Sequence, residues 1–378
     1  MSEDQRKILI LTGDAGLGHR SAAEALEKAF LNHYPDQCAV TVNNPLNHPD
    51  IPDVIRQSQS DYDEIVKTIP ELYRLGYEVS DAELPVSLME EGFTLLLLDV
   101  MRQVVEETQP DIILTTYPIF AAPLSSLRDS DDIYTPTIST VTDLVTVHHV
   151  WFNRGLTRLT VPTEVVREKA LGAGLRPEQV ILTGIPVDPK IHELKQVDPA
   201  DLRRELGWQA DLTTLLVAGS PRVVSLMEIL KEIDSSDLNI QFALVSGGDD
   251  ALYEQFKTTQ WKHPASVYGF IEFMPKIMRA SDLIISKAGG LIVTESLGSG
   301  LPLMLVHVLP GQERGNVDYV LGHNAGAQCE TPEDTLKTLT NWLANDLKAL
   351  REIAENAESA GNADAAVRIA EIAWNLLA

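Results

Sequence analysis

Strand-like and helix-like segments alternate from one end of this 378-residue chain to the other. That pattern points to parallel sheets covered by helices, because each parallel pair needs a crossover long enough to hold a helix. In the first half, strands are expected at 7–12, 39–43, 111–115, 137–141 and 158–161, with helices at 19–32, 92–108 and 164–171. Residues 45–85, rich in Asp, Glu and Pro, should form short helices and loops over one face. Residues 186–199, which include I-P-V-D-P-K and K-Q-V-D-P, interrupt both periodicities. The alternation then restarts, with strands at 213–218, 240–245, 266–268 and 283–285 and helices at 223–233, 251–258 and 273–278. A chain of this length exceeds the usual single domain. The expectation is therefore an α/β fold of two Rossmann-like domains facing across a cleft, residues 1–186 and 187–362. A C-terminal helix at 363–378 is expected to pack back on the first. In such sheets, ligands bind outside the carboxyl ends of the strands.

A net charge of −25 argues against a nucleic-acid partner, whose binding surface would be basic. It also weakens the case for tight binding to anionic lipid. Cys38 and Cys329 offer neither a zinc spacing nor a disulfide framework, which suits a reducing cytoplasm. The opening M-S-E-D-Q-R-K has no apolar signal core. The longest apolar run, 93–100, is too short to span a bilayer. Glu90, Glu91, Asp99, Glu106 and Glu107 surround it, so a core helix is favoured over a membrane-surface helix.

Several strand ends carry chemistry. After the first strand, T-G-D-A-G-L-G-H-R-S-A-A-E-A-L places Gly16 and Gly18 before a helix that opens near His19. The glycines lack the G-x-G-x-x-G spacing of a dinucleotide fingerprint. His19 at a helix N-terminus is either a base, kept neutral by the positive end of the dipole, or a residue that caps and packs. Asp143, in V-T-D-L-V-T-V-H-H-V-W-F-N, either orients His19 or accepts the proton itself; the plainer role is an N-cap. His148 and His149 lack a third ligand at metal spacing, so no metal site is expected. Trp151 and Phe152 read as core residues of an amphipathic strand. Gly219 and Ser220 end the first strand of the second half, in a plain turn or in contact with a phosphate or an acceptor.

Residues 286–319 are the most informative. They run S-K-A-G-G-L-I-V-T-E-S-L, a second strand, then P-G-Q-E-R-G-N. Gly289 and Gly290 free backbone N–H groups at a helix N-terminus for phosphate oxygens, beside Ser286, the Lys287 cation and Ala288. Glu295 could take a ribose diol, and Gln312, Glu313 and Asn316 a sugar's hydroxyls.

Taken in order, G-x-G-H-R-S-A-A-E-A-L, P-D-I-I-L-T-T-Y-P, V-T-D-L-x-x-x-H-x-x-W-F, T-G-I-P-V, S-K-A-G-G-L-x-x-x-E-S-L-x-x-G-L-P and P-G-Q-E-x-G-N resemble a known family. It is the GT-B glycosyltransferases of the monogalactosyldiacylglycerol synthase and processive diacylglycerol glucosyltransferase group, more distantly related to MurG. The resemblance implies His19 as base and Asp143 as the acidic residue near the acceptor, with Gly16, Gly18, Pro118, His148 and Trp151 on the acceptor side. It implies Gly289 and Gly290 at the donor diphosphate, Glu295 at the ribose, Gln312 and Glu313 at the sugar, and the backbone near Phe270 at the uracil. The implied reaction is inverting and metal-independent. It moves a hexose from UDP-glucose or UDP-galactose to a lipid hydroxyl, first of all that of 1,2-diacylglycerol, with the UDP-sugar as co-substrate and no cofactor. The implied place is the cytoplasm, with peripheral contact at the membrane face. The alternative is a soluble transferase for a non-lipid acceptor, or a sugar-nucleotide binding protein. The chain departs from the family in three places: A-G-S-P-R-V-V at 218–224 is shorter in glycine, S-G-G-D at 246–249 replaces C-G-x-N, and Tyr117 stands where a His is common.

Overall fold

Strands buried on both faces need apolar side chains in both alternating sets, and this chain supplies them twice. The structure, a computed structural model, describes residues 5–14, 17–53, 56, 83–130, 134–220, 223, 225–309 and 313–377. Two units are distinguished, Met1–Pro189 with Asp364–Ala378, and Lys190–Ala363.

In the first unit, β1 (Arg6–Leu11), β2 (Cys38–Asn43), β3 (Ile112–Thr115), β4 (Thr137–Thr140), β5 (Arg158–Val161) and β6 (Val180–Leu182) form one parallel sheet in the order β2-β1-β3-β4-β5-β6. Leu9, Leu11 and Ile113 meet Leu97, Met101, Phe120 and Leu124 on one face. Leu97 and Met101 come from α2 (Glu83–Thr108), Leu124 from α3 (Ala121–Asp129) and Phe120 from the 3-10 turn just before it, α1 being Leu17–His33. On the other face, Ile8, Ile10, Ile112 and Leu114 meet Ala23, Leu26 and Phe30 of α1. The 93–100 run thus packs into the core through Leu97 and Val100, although Leu95 is 87% exposed. Helix α2 begins earlier than the expected 92, since Pro85 falls in its first turn, where a missing N–H costs nothing. The remaining helix of the strand region is α4 (Glu164–Gly172). The expected 45–85 segment lies mostly outside the described residues.

The second unit opens with α5 (Lys190–Leu194) and α6 (Pro199–Glu205), two short helices that the Pro-interrupted sequence conceals. Its strands are β7 (Thr213–Ala218), β8 (Ile240–Val245), β9 (Ala265–Tyr268), β10 (Leu283–Lys287), β11 (Leu303–His307) and β12 (Gly326–Gln328). They form a parallel sheet in the order β12-β11-β10-β7-β8-β9. Helices α7 (Leu226–Ser235), α8 (Asp250–Thr258), α9 (Met274–Arg279), α10 (Gly290–Gly298) and α11 (Arg314–Gly322) connect them. Leu226, Ile229, Leu230 and Ile233 of α7 repeat every three to four residues and are buried against Leu215, Val217, Phe242 and Leu244. Strand β12 shows no hydrophobic alternation in its three residues, so the sequence does not announce it.

The helical C-terminal stretch is interrupted. Within α12 (Pro332–Ala360) the backbone leaves helical geometry at 344–347, and Asn345, Asp346 and Leu347 have positive φ. After Ala363 the chain joins the first unit as α13 (Ala365–Asn375), whose Ala366, Ile369, Ala370 and Ala373 are buried against the α1 face of the first sheet. Trp374 stacks on Tyr34 at 4.0 Å between ring centres. Among the described residues, no helix is long and apolar enough to cross a membrane.

Candidate active site

Strand order in a parallel sheet decides where a crevice opens, namely at the carboxyl ends of the two strands whose crossovers run in opposite directions. In the first sheet these are β1 and β3, which continue into Thr12 and Thr116. The Thr116 hydroxyl donates to the His19 carbonyl oxygen at 3.0 Å and lies 3.0 Å from the Thr12 hydroxyl, tying the start of α1 to both strand ends.

His19, half-buried near the start of α1, points its Nδ1 at the Thr116 carbonyl oxygen (2.9 Å) and the Thr142 hydroxyl (2.8 Å). A carbonyl can only accept, so Nδ1 carries the hydrogen and Nε2 keeps its lone pair. Burial lowers the imidazole pKa below its ordinary value, while the Asp143 charge and the Thr116 carbonyl pull it part of the way back. The Tyr117 ring stands edge-on to His19 at 4.8 Å between centres, and the Trp151 ring lies 6.2 Å away. A neutral imidazole in this tautomer is equipped to take a proton.

Asp143 follows β4 and accepts the Trp151 indole N–H at 2.9 Å. Trp151 and Phe152 are buried, as expected, but not on a strand. They lie at the end of a single 3-10 turn, His149–Trp151, whose N-cap is His148; the His148 Nδ1 accepts from the Val150 N–H at 3.2 Å. That local bond replaces strand pairing, and it makes His148 a capping residue with 7% exposure. Pro118 opens the 3-10 turn Pro118–Phe120 directly after Tyr117. Gly18 sits in the first turn of α1 with open space where a Cβ would be. Gly16 lies outside the described residues.

Sequence reasoning missed Asp14. Its carboxylate takes Arg20 (2.9 and 2.6 Å), Asn44 (2.7 Å) and Asn47 (3.1 Å), bracing the turn that precedes His19. Burial pushes its pKa up, but these hydrogen bonds outweigh burial and leave it below the usual carboxylate value. The T-G-D turn followed by Arg20 was the available signal.

In the second sheet the reversal falls between β7 and β10, which pair in register through Val217 and Ile285. Beyond β7, a Cβ on Gly219 would lie 2.5 Å from the Leu252 side chain and 2.8 Å from the Val245 carbonyl, so only glycine fits. Ser220 follows it. Beyond β10 the expected turn begins two residues late. Ser286 and Lys287 still belong to the strand, with a register shift between them that leaves Lys287 opposite His307. The half-buried Lys287 ammonium is 2.5 Å from Glu313 Oε1, and Glu313 Oε2 accepts the Leu309 N–H at 2.8 Å. Asn316 donates to the Ala288 carbonyl at 2.9 Å. Gly289 is the N-cap of α10, which starts at Gly290, and Glu295 lies half-buried in the middle of that helix. The structure thus gathers Lys287, Ala288, Gly289, Glu313 and Asn316 at one helix N-terminus, with Glu313 and Asn316 committed to protein partners. Phe270 stands apart, past β9, with its side chain 74% exposed. Gln312 is outside the described residues.

A family model described as monogalactosyldiacylglycerol (MGDG) synthase matches residues 19–187. One described as glycosyltransferase family 28 C-terminal domain matches 213–373. A probable chloroplastic monogalactosyldiacylglycerol synthase of Glycine max is 33% identical over 381 residues, 97% of this chain and 71% of the relative. This chain belongs to the monogalactosyldiacylglycerol synthase family. It is a glycosyltransferase. Its fold is GT-B, shared with MurG of Acinetobacter baumannii (TM-score 0.62, 15% identity, 98% of this chain and 99% of that one). The UDP-GlcNAc 2-epimerase of Neisseria meningitidis has a similar fold (TM-score 0.61, 15% identity, 98% and 100%). Fold alone therefore does not separate transfer from epimerisation; membership of the synthase family does.

Proposed function

We propose that this glycosyltransferase moves a hexose from a UDP-sugar to the free hydroxyl of 1,2-diacylglycerol. The relatives' name favours galactose, hence UDP-galactose over UDP-glucose as donor. The observation that carries the chemistry is the Nδ1–H of His19 directed at the Thr116 carbonyl, which leaves Nε2 as the basic nitrogen. Nε2 takes the acceptor hydroxyl proton as the oxygen attacks the anomeric carbon. The carbon–oxygen bond to the diphosphate breaks on the opposite side, UDP leaves with the electron pair, and the configuration inverts. Asp143 stabilises the imidazolium that forms, as its raising effect on the His19 pKa indicates.

Leaving-group charge is met by the N-terminus of α10 at Gly289 and Gly290 and by Lys287, with no metal ion and no cofactor beyond the co-substrate. Glu295 binds the ribose, Gln312, Glu313 and Asn316 the sugar, and the backbone at Phe270 the uracil; Gly219, Ser220, Ser286 and Ala288 complete the donor contacts. Gly16, Gly18, Pro118, His148 and Trp151 belong to the acceptor side, and contact with the lipid is peripheral, at the cytoplasmic membrane face.

The test offers both UDP-sugars with diacylglycerol vesicles, identifies the product by mass and anomeric configuration by NMR, and repeats the reaction in EDTA. His19→Ala should lose about 10²-fold or more in kcat while binding UDP normally. Undiminished turnover in that variant would overturn the base assignment, and an α-linked galactoside would overturn inversion.

A further inference from the structure

We propose that the Lys287–Glu313 ion pair is a latch opened by the donor diphosphate: phosphate oxygens take Lys287, and the Glu313 oxygen released takes a hydroxyl of the donor sugar. This rests on the donor-site reading above.

The starting point is a charge in the wrong place. A helix N-terminus is its positive end and repels cations, yet the Lys287 ammonium lies against it. A methyl group built on the N-cap Gly289 would collide with that ammonium. What holds the cation there is Glu313 Oε1 at 2.5 Å, on a carboxylate whose side chain is only 6% exposed. The two Glu313 oxygens differ in what they do. Oε2 is bound to the Leu309 N–H and anchors the loop, whereas Oε1 is held by Lys287 alone among the bonds described.

A diphosphate at Gly289 and Gly290 changes this balance. It brings the negative charge that both the helix end and Lys287 favour, and it repels the neighbouring carboxylate. Exchange of partners on Lys287 satisfies the phosphate but strands Oε1 in a buried setting, which is costly. Only a donor that still carries its sugar repairs that loss with a hydroxyl. The intact donor is therefore held more firmly than UDP. After transfer, the empty Oε1 recaptures Lys287 and helps expel the product.

The experiment is a double-mutant cycle on the full chain, with UDP and UDP-galactose affinities measured by calorimetry and folding checked by circular dichroism. Glu313→Gln keeps a carbonyl oxygen for the Leu309 N–H but frees Lys287. It should bind UDP about tenfold more tightly, the equivalent of about 1.4 kcal/mol, and lose the preference for UDP-galactose over UDP. Lys287→Met should weaken UDP binding and abolish the gain in the double variant. If Glu313→Gln binds UDP no better than the parent, or the gain survives in Lys287→Met, the latch is wrong. Crystals of the unaltered protein with UDP give an independent reading, since an intact Lys287–Glu313 contact beside bound UDP also overturns it. A parent chain that binds no UDP at all sinks the donor-site reading itself.

Discussion

His19 can serve as a base only while its ring is neutral, and burial holds its pKa below the ordinary histidine value. Turnover should therefore fall on the acid side only below about pH 6.5, the unperturbed value. Asp143 raises that pKa, so Asp143→Asn should move the acid limb of kcat/KM to still lower pH while reducing the rate. A limb moving upward in a pH profile would contradict the assigned interaction. Trp151→Phe leaves the ring buried and removes the N–H donated to Asp143. The expected cost is about 1–3 kcal/mol, read from urea unfolding. At this scale, His19 and Asp143 stand out in the sequence because each is a distinctive side chain near a strand end, and the structure brings the Asp143 charge within reach of the His19 ring. The Thr116 carbonyl was not legible, since any residue could supply a backbone oxygen. The contact of Lys287 with Glu313 could not be read either, because a loop must fold back to bring the two together.

Elements with strong periodicity were read well. Strands β5, β7 and β8 fall where the sequence puts them, and α7 buries the stripe its spacing forms. Short or Pro-containing elements escaped. Helix α3 carries Pro123 in its first turn, and the turn at His149–Trp151 imitates a strand because His148 satisfies its backbone locally. Two substitutions probe the packing of elements. Gly219→Ala should cost about 1–3 kcal/mol through collision with Leu252 and the Val245 carbonyl. Ile369→Ala, fully buried on α13 against the first sheet, should cost about 2–5 kcal/mol. Chemical denaturation measures both, and a neutral Ile369→Ala would mean that α13 contributes little to the first unit.

For the whole molecule, the net charge of −25 sets how it meets a lipid surface. Repulsion from anionic vesicles weakens as salt shortens the Debye length, from about 30 Å at 0.01 M to about 8 Å at 0.15 M. Flotation with anionic vesicles should therefore improve as salt rises across that range, while binding to neutral vesicles stays flat. Loss of anionic binding with added salt would point instead to a local basic surface.

The alternation of strand and helix patterns and the ordered motifs are properties of the linear chain, and they determined the fold class and the family. Periodicity and turn chemistry are local, so they survive without coordinates. Tertiary structure decided which strands lie side by side, and therefore where each crevice opens. It decided the tautomer of His19, the face of the first sheet that α13 covers, and the pairing of Lys287 with Glu313. Each of these depends on residues far apart in sequence or on backbone atoms that carry no residue identity.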